Sequence, residues 1–393
     1  MKLKYKTPAF LLVWAVMISF SACGEKKSLG SHLGEDIMAS ITKDESGVSD
    51  FIYTIGSEKT SFKILQLTDT QIIDLAQADP DTLRPQQLQN AFYGDGIMDL
   101  ERRVWRYMRD IVERAKPDLI IITGDVIYGE TDDSGEVWKQ LISVMDSFQI
   151  PWGFCFGNHD NESAKGVQWQ VDTAMAAEYC CFAQGNVTGN SNYNILIEQE
   201  GEPLFNLFLL DTNGCTEIDN PGEGLDPDNV DYDLIQQTQG IYEDQIAWYT
   251  ETAEAVNAAA GKTVPSLAFF HIPVYALHEA MEEKYGPNAG LPLETDQDGD
   301  FGKAVNDTAG DCVDRENVFF NAAKEAGTIG MFMGHLHRNS CSVVWEGIRM
   351  TMGLKTGTDT FYNEDSLGGT LITLDCETGA MDVAHLYQDY LSE

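Results

Sequence analysis

Five short blocks of the chain carry carboxylates, amides and imidazoles. They are Asp69-Thr70-Gln71, Gly124-Asp125, Gly157-Asn158-His159-Asp160, His271 and Gly334-His335-Leu336-His337, and four of the seven histidines fall within them. A single histidine after a strand is usually a polar loop residue. Carboxylate, amide and imidazole in conjunction are the donor set of borderline divalent or trivalent metals. The pattern therefore points to metal-dependent chemistry.

Each block follows an apolar run. Phe62–Leu67 precedes Asp69, Leu119–Ile122 precedes Asp125, Trp152–Phe156 precedes Asn158, Ser266–Phe270 precedes His271, and Ile329–Met333 precedes His335. We read these as strands, with helices predicted at about 99–115, 136–148, 242–260 and 314–326 and further strands at 193–198, 204–210, 342–345, 348–352, 370–375 and 381–386. Continuous apolar strands imply sheets covered on both faces. Their alternation with helices implies an α/β chain. Polar residues just past strand C-termini are where such folds build their sites. Two acidic stretches, about 216–233 and 284–312, read as surface insertions. Asp296–Asp300 resembles a calcium loop, but Phe301 stands where an EF-hand needs glycine, so a solvated loop is expected.

In this order the blocks resemble the calcineurin-like metallophosphoesterase superfamily, whose pattern reads D-x-H, GD, GNH[DE], H, GHxH. The resemblance runs from about Lys63 to the C-terminus. Gly124-Asp125-Val126-Ile127-Tyr128 is similar to the GDxxY of purple acid phosphatases. Gly157-Asn158-His159-Asp160-Asn161-Glu162-Ser163, His271-Ile272-Pro273 and Cys341 resemble the purple-acid-phosphatase-related branch of fungi and plants. The fold implied is a two-sheet β-sandwich flanked by helices. The reaction implied is hydrolysis of phosphomonoesters or phosphodiesters, with two metal ions (Fe, Zn or Mn) serving the attacking and leaving oxygens.

The resemblance also implies roles. Asp125 would bridge the ions, Asp69 and His337 would hold the first, and Asn158, His271 and His335 the second. His159 would face the phosphate and protonate the leaving oxygen, with Asp160 accepting a hydrogen bond from it and fixing its ring. Gln71 departs from the pattern, because the family usually has His there. An amide oxygen is a weaker ligand than imidazole for zinc or iron. Either Tyr128 supplies a phenolate to the first ion, favouring iron, or that ion is held loosely or is harder, such as manganese. A binding module that keeps metal but has lost turnover, and a nucleotide phosphodiesterase, are the rival readings. Among the other polar residues, Arg84 in a Pro-rich loop is a minor candidate for a phosphate clamp. Arg102, Arg103 and Arg106 are expected on the solvated face of a helix, His278 at the surface, and Arg338 in a loop.

The rest of the chain sets the context. Its 393 residues hold 25 Lys+Arg against 63 Asp+Glu, a formal charge of −38. That excludes nucleic acid polymers and anionic lipid surfaces as charge-matched partners and leaves small phosphorylated substrates. Lys2, Lys4 and Lys6, the apolar run Ala9–Ile18 and Ser21-Ala22-Cys23 read as an export signal (residues 1–22) with a bacterial lipobox, in which Cys23 is lipidated. The run is too short to span a bilayer. An exported lipoprotein at the membrane surface is therefore expected, with residues 23–60 as a tether and 61–393 as the metallophosphoesterase domain. Beyond Cys23 there are seven cysteines, an odd number whose pairing cannot be read from spacing.

Overall fold

In the computed structural model, residues 41–74, 97–129, 134–214, 239–287, 293–296, 298–305, 308–309, 312–360 and 362–388 are described. The expected export signal, the lipidated Cys23 and Arg84 lie outside them. The elements run β1 (Ile41–Lys43), β2 (Phe51–Ile55), β3 (Ser61–Leu67), α1 (Ile97–Ala115), β4 (Leu119–Thr123), α2 (Glu136–Ser147), β5 (Trp152–Cys155) and α3 (Val167–Met175). They continue with β6 (Tyr193–Gln199), β7 (Glu202–Leu209), α4 (Glu243–Ala260), β8 (Ser266–Phe269), α5 (Tyr275–Tyr285), β9 (Leu293–Glu294) and β10 (Lys303–Ala304). The last are α6 (Val318–Glu325), β11 (Thr328–Met333), β12 (Ser342–Trp345), β13 (Ile348–Met352), β14 (Gly368–Asp375) and β15 (Met381–Tyr387).

Two sheets carry the fold. One has the order β15-β14-β3-β4-β5, and the other β1-β2-β6-β7-β8-β11-β13-β12, with β9 and β10 as a separate pair. Strands β3, β4 and β5 are parallel neighbours, as are β7, β8 and β11. Side-chain alternation explains the layering. Along β8, Leu267 and Phe269 join the core shared by the two sheets, with Phe62, Ile64, Ile121 and Phe154. Ala268 and Phe270 point to the opposite face, into a second core with Tyr249 of α4, Leu277 of α5 and Phe319 of α6. On the smaller sheet, Val104, Met108 and Ile111 of α1 and Leu141 of α2 close the first core. This is the α/β sandwich of two sheets flanked by helices, and both faces are covered as the unbroken apolar strands require. Among the described residues no helix is long and apolar enough to cross a membrane.

Several expectations are corrected. Residues 41–60 are not a tether: β2 pairs in parallel with β6, and its Phe51, Tyr53 and Ile55 are buried in the core. Alternating apolar residues at 51, 53 and 55 bury one face of that strand, so the domain begins before residue 61. Asp296, Asp298 and Gly299 are exposed as a solvated loop requires, but Asp300 is not. It is 5% exposed and accepts hydrogen bonds from Tyr285 Oη (2.9 Å), from the Val344 amide (2.8 Å) and from Lys284. Arg103 and His278 are buried rather than at the surface, whereas Arg106 is exposed as expected.

Candidate metal centre

All five blocks converge. Asp69 and Gln71 follow β3, Asp125 follows β4, Asn158 and His159 follow β5, His271 follows β8, and His335 and His337 follow β11. The C-terminal ends of the parallel strands of both sheets therefore face one place. Four of these residues turn the chain through the left-handed region: Asp69 (φ 50), Gln71 (φ 38), Asp125 (φ 48) and His335 (φ 71). That conformation is unfavourable for side chains larger than glycine and gathers at functional sites. The glycines beside them allow close approach. A Cβ on Gly157 would lie 2.3 Å from the Asp125 amide and its Oδ1, and one on Gly334 2.7 Å from Asp69 Oδ2.

The result is two overlapping groups whose ligand atoms lie within 4.8 Å of one another: Asp69, Asp125 and His337, and Asp125, His271 and His335. Asp125 belongs to both. Its Oδ1 accepts the His159 amide at 2.9 Å, while Oδ2 lies 3.3 Å from His271 Nε2. Asp69 Oδ2 is fixed by Thr68 Oγ1 (2.8 Å) and the His335 amide (3.0 Å), which leaves Oδ1 turned inward, 3.0 Å from His337 Nε2. His271 Nδ1 donates to the Thr123 carbonyl at 2.9 Å, so Nε2 is the ring nitrogen that faces the centre.

Three buried atoms here, Asp69 Oδ1, Asn158 Oδ1 and His271 Nε2, lack a well-directed hydrogen bond. Buried polar atoms are nearly always satisfied, so such orphaned ligand atoms in these blocks fit cations as their missing partners. The electrostatics agree. Burial disfavours the charged forms of Asp69 and Asp125. The neighbouring His337 and His271 outweigh burial at Asp69, as His271 and His159 do at Asp125, and both carboxyls sit below their usual range. Burial likewise opposes a charged His271, yet Asp125 and Asp69 raise its pKa to about 9. Burial and the charge of His271 push His335 down to about 3.

Two expected roles are corrected. Asp160 does not orient His159. Its Oδ1 accepts the amides of Val126 (2.7 Å) and Ile127 (3.0 Å), and Oδ2 accepts that of Gly157 (2.7 Å). It ties the loop after β4 to the loop after β5, and burial together with Asp125 raises its pKa to about 7. The partner of His159 is Glu162, whose two carboxylate oxygens both lie 2.8 Å from Nδ1. The turn Asp160–Glu162 is a 3₁₀ helix, in which residues three apart eclipse. An acid three residues after a histidine was the available signal. Gln71 does not offer its amide oxygen to the centre either. Oε1 accepts from Lys355 Nζ (2.9 Å) and from Thr360 Oγ1, and Nε2 donates to Asp125 Oδ2 at 2.8 Å. Tyr128 is buried with its ring centroid 5.0 Å from that of His159. Lys355, 1% exposed, is the residue sequence reasoning missed; no motif marks it.

A family model described as calcineurin-like phosphoesterase matches residues 62–339. "Probable inactive purple acid phosphatase 14" of Arabidopsis thaliana is 27% identical over 264 residues, covering 62% of this chain and 59% of that protein. "Phosphatase DCR2" of Saccharomyces cerevisiae is 26% identical over 250 residues, covering 60% and 39%. "Probable inactive purple acid phosphatase 28" of Arabidopsis thaliana is 31% identical over 193 residues, covering 44% and 46%. The chain thus spans 39% to 59% of the length of these relatives. Among solved structures, a dimetal phosphatase from Danio rerio aligns with 84% of this chain and 94% of its own at 14% identity and a TM-score of 0.43. Purple acid phosphatase PPD1 from yellow lupin aligns with 86% and 56% at 10% identity and a TM-score of 0.40.

Proposed function

The chain belongs to the calcineurin-like phosphoesterase family, and on that premise we propose that it is a metal-dependent hydrolase of small phosphomonoesters or phosphodiesters. The observation that carries the reading is the pair of overlapping groups, Asp69, Asp125 and His337 with Asp125, His271 and His335, each with its ligand atoms within 4.8 Å of one another and both sharing Asp125. Asp69, Asp125 and His337 would hold one cation, and Asp125, Asn158, His271 and His335 the other. The pair would supply Lewis-acid polarisation of a phosphoryl oxygen and a water nucleophile at neutral pH.

The chain's own residues do the rest. Asp125 spans both positions and fixes their separation. The His159 side chain is 22% exposed, against 15% for His337 and 0% for His271. That suits the group that meets substrate. With Glu162 on Nδ1, it is Nε2 that points to the leaving oxygen and delivers the proton. The contact between Tyr128 and His159 supports Tyr128 as a packing partner of that imidazole rather than a phenolate ligand. The mixed oxygen and imidazole donors suit manganese or zinc.

The acidic chain does not oppose an anionic substrate here. Salt screens distant surface acids beyond about 8 Å, and bound cations set the local sign. The test is turnover of an aryl phosphate and a bis(aryl) phosphate by protein stripped with chelator and reloaded with Mn²⁺, Zn²⁺ or Fe. We expect metal-dependent turnover of at least one ester, lost by about 10²–10⁴-fold in His159→Ala with metal content retained. A protein that holds metal and turns over neither ester is instead a phospho-ligand binder, the reading favoured by relatives whose names carry "inactive".

Localisation follows from the N-terminal pattern alone. We read the protein as exported and lipid-anchored through Cys23. Detergent-phase partitioning that is lost in Cys23→Ala is the expected result, and an aqueous wild-type protein contradicts it.

A further inference from the structure

Lys355 lies just past β13, and its backbone bridges Thr68 on one side and Leu367 on the other. Its ammonium is buried. It donates to the Asp69 carbonyl at 2.8 Å and to Gln71 Oε1 at 2.9 Å, and the Thr360 hydroxyl donates to the same Oε1. An ammonium carries donors and no acceptor. The amide facing it must therefore present oxygen, which turns the Gln71 NH₂ group toward Asp125 Oδ2, 2.8 Å away. An amide NH₂ has no lone pair to give a metal. Gln71 thus meets the centre with a donor where a ligand would need an acceptor. The charge of Lys355 is felt at both Asp69 and His337, the two residues particular to the first cation position. Lys355 is not among the charges that act on His271 or His335, the residues particular to the second position.

We propose that Lys355, acting through Gln71, makes the two cation positions unequal. It withholds the Gln71 oxygen from ligation and sets an ammonium beside Asp69, Asp125 and His337. The Asp125–Asn158–His271–His335 position binds a divalent ion tightly, and the three-donor position beside Lys355 binds a second one weakly. This rests on the two-cation reading of the site, and it makes the weakly held ion beside Lys355 the one whose supply sets activity. Lys355 and Gln71 are positioning residues.

The test is calorimetric titration of the chelator-stripped full chain with Mn²⁺, with metal counted after dialysis. Wild type is expected to bind in two steps at least about tenfold apart, the scale of one unit charge a few ångströms away under protein-like screening. Lys355→Met should tighten the weak step by at least about tenfold and leave the strong step within about threefold. Gln71→Met should leave the weak step no weaker, because the residue supplies no ligand. This second variant decides the matter should Lys355→Met fail to fold. Equal steps in wild type, an unchanged weak step in folded Lys355→Met, or a weak step lost in Gln71→Met each overturn the proposal. Absence of any Mn²⁺ binding to the folded wild type overturns the two-cation reading itself, and this proposal with it.

Discussion

Glu162 grips His159: both oxygens of its carboxylate lie 2.8 Å from the imidazole Nδ1, and its side chain is only 1% exposed. A buried acid on one ring nitrogen fixes which nitrogen faces the centre. Partners of this kind typically change function by about 10–100-fold when removed. Glu162→Gln is therefore expected to lower kcat by roughly tenfold or more while metal content by elemental analysis stays at the wild-type level. Equal kcat in the two proteins contradicts the role, and a parallel loss of metal would make Glu162 a support of the centre instead.

Close packing of the loops is the second exposed point of the account. A methyl at residue 157 would stand 2.3 Å from the Asp125 amide nitrogen and Oδ1, well inside contact distance. The atoms to be displaced are backbone and the carboxylate shared by both cation positions. Gly157→Ala should shift Asp125 and weaken binding at both positions together, alongside a stability loss of about 1–3 kcal/mol of overpacking. Titration with Zn²⁺ and urea unfolding check both effects. Wild-type affinity in the variant would show that Asp125 does not need its present place.

Asp211 gives the fold a pH dependence apart from the centre. It follows β7 and is 5% exposed, and its oxygens accept the amides of Asn190 (2.7 Å) and Asn213 (2.8 Å). Burial outweighs these donors and raises its pKa from 3.8 to about 6. The folded state thus holds the proton more tightly than the unfolded chain. The stability from this group is full below pH 3.8 and is lost as pH rises through about 6, an effect of about 3 kcal/mol. Urea unfolding of wild type relative to Asp211→Asn should show that difference opening between pH 4 and 6 and flat above. Parallel curves contradict it.

The residues that form the centre were legible because each closes an apolar strand. Five strand ends and their polar blocks suffice to say which side chains meet, once parallel strands present their C-termini to one side. What the pattern could not give is contact across long stretches of chain. Lys355 and Thr360 reach Gln71 from more than 280 residues away, in a loop with no motif, and they turn its amide from the expected ligand into a donor. The adjacent Asp160 was a nearer guess than Glu162 for the partner of His159, but its carboxylate is consumed by three backbone amides. Helices α3 and α5 were missed for a different reason. The buried face of α5 is made of Ala276, Leu277, His278, Ala280 and Met281, too broad and too mixed in polarity to give a clean 3.6-residue stripe. Strands β1 and β2 were hidden in a polar, glycine-rich stretch, where only Phe51, Tyr53 and Ile55 betray a buried face.

Anomalous diffraction from crystals of the full chain soaked in zinc would locate the cations themselves. The account predicts a strong peak about 2.0–2.2 Å from Asp125, Asn158, His271 and His335, and a weaker one bonded to Asp69, Asp125 and His337. No peak at Asp125, or a zinc ion bound by other residues with these side chains left empty, would contradict it.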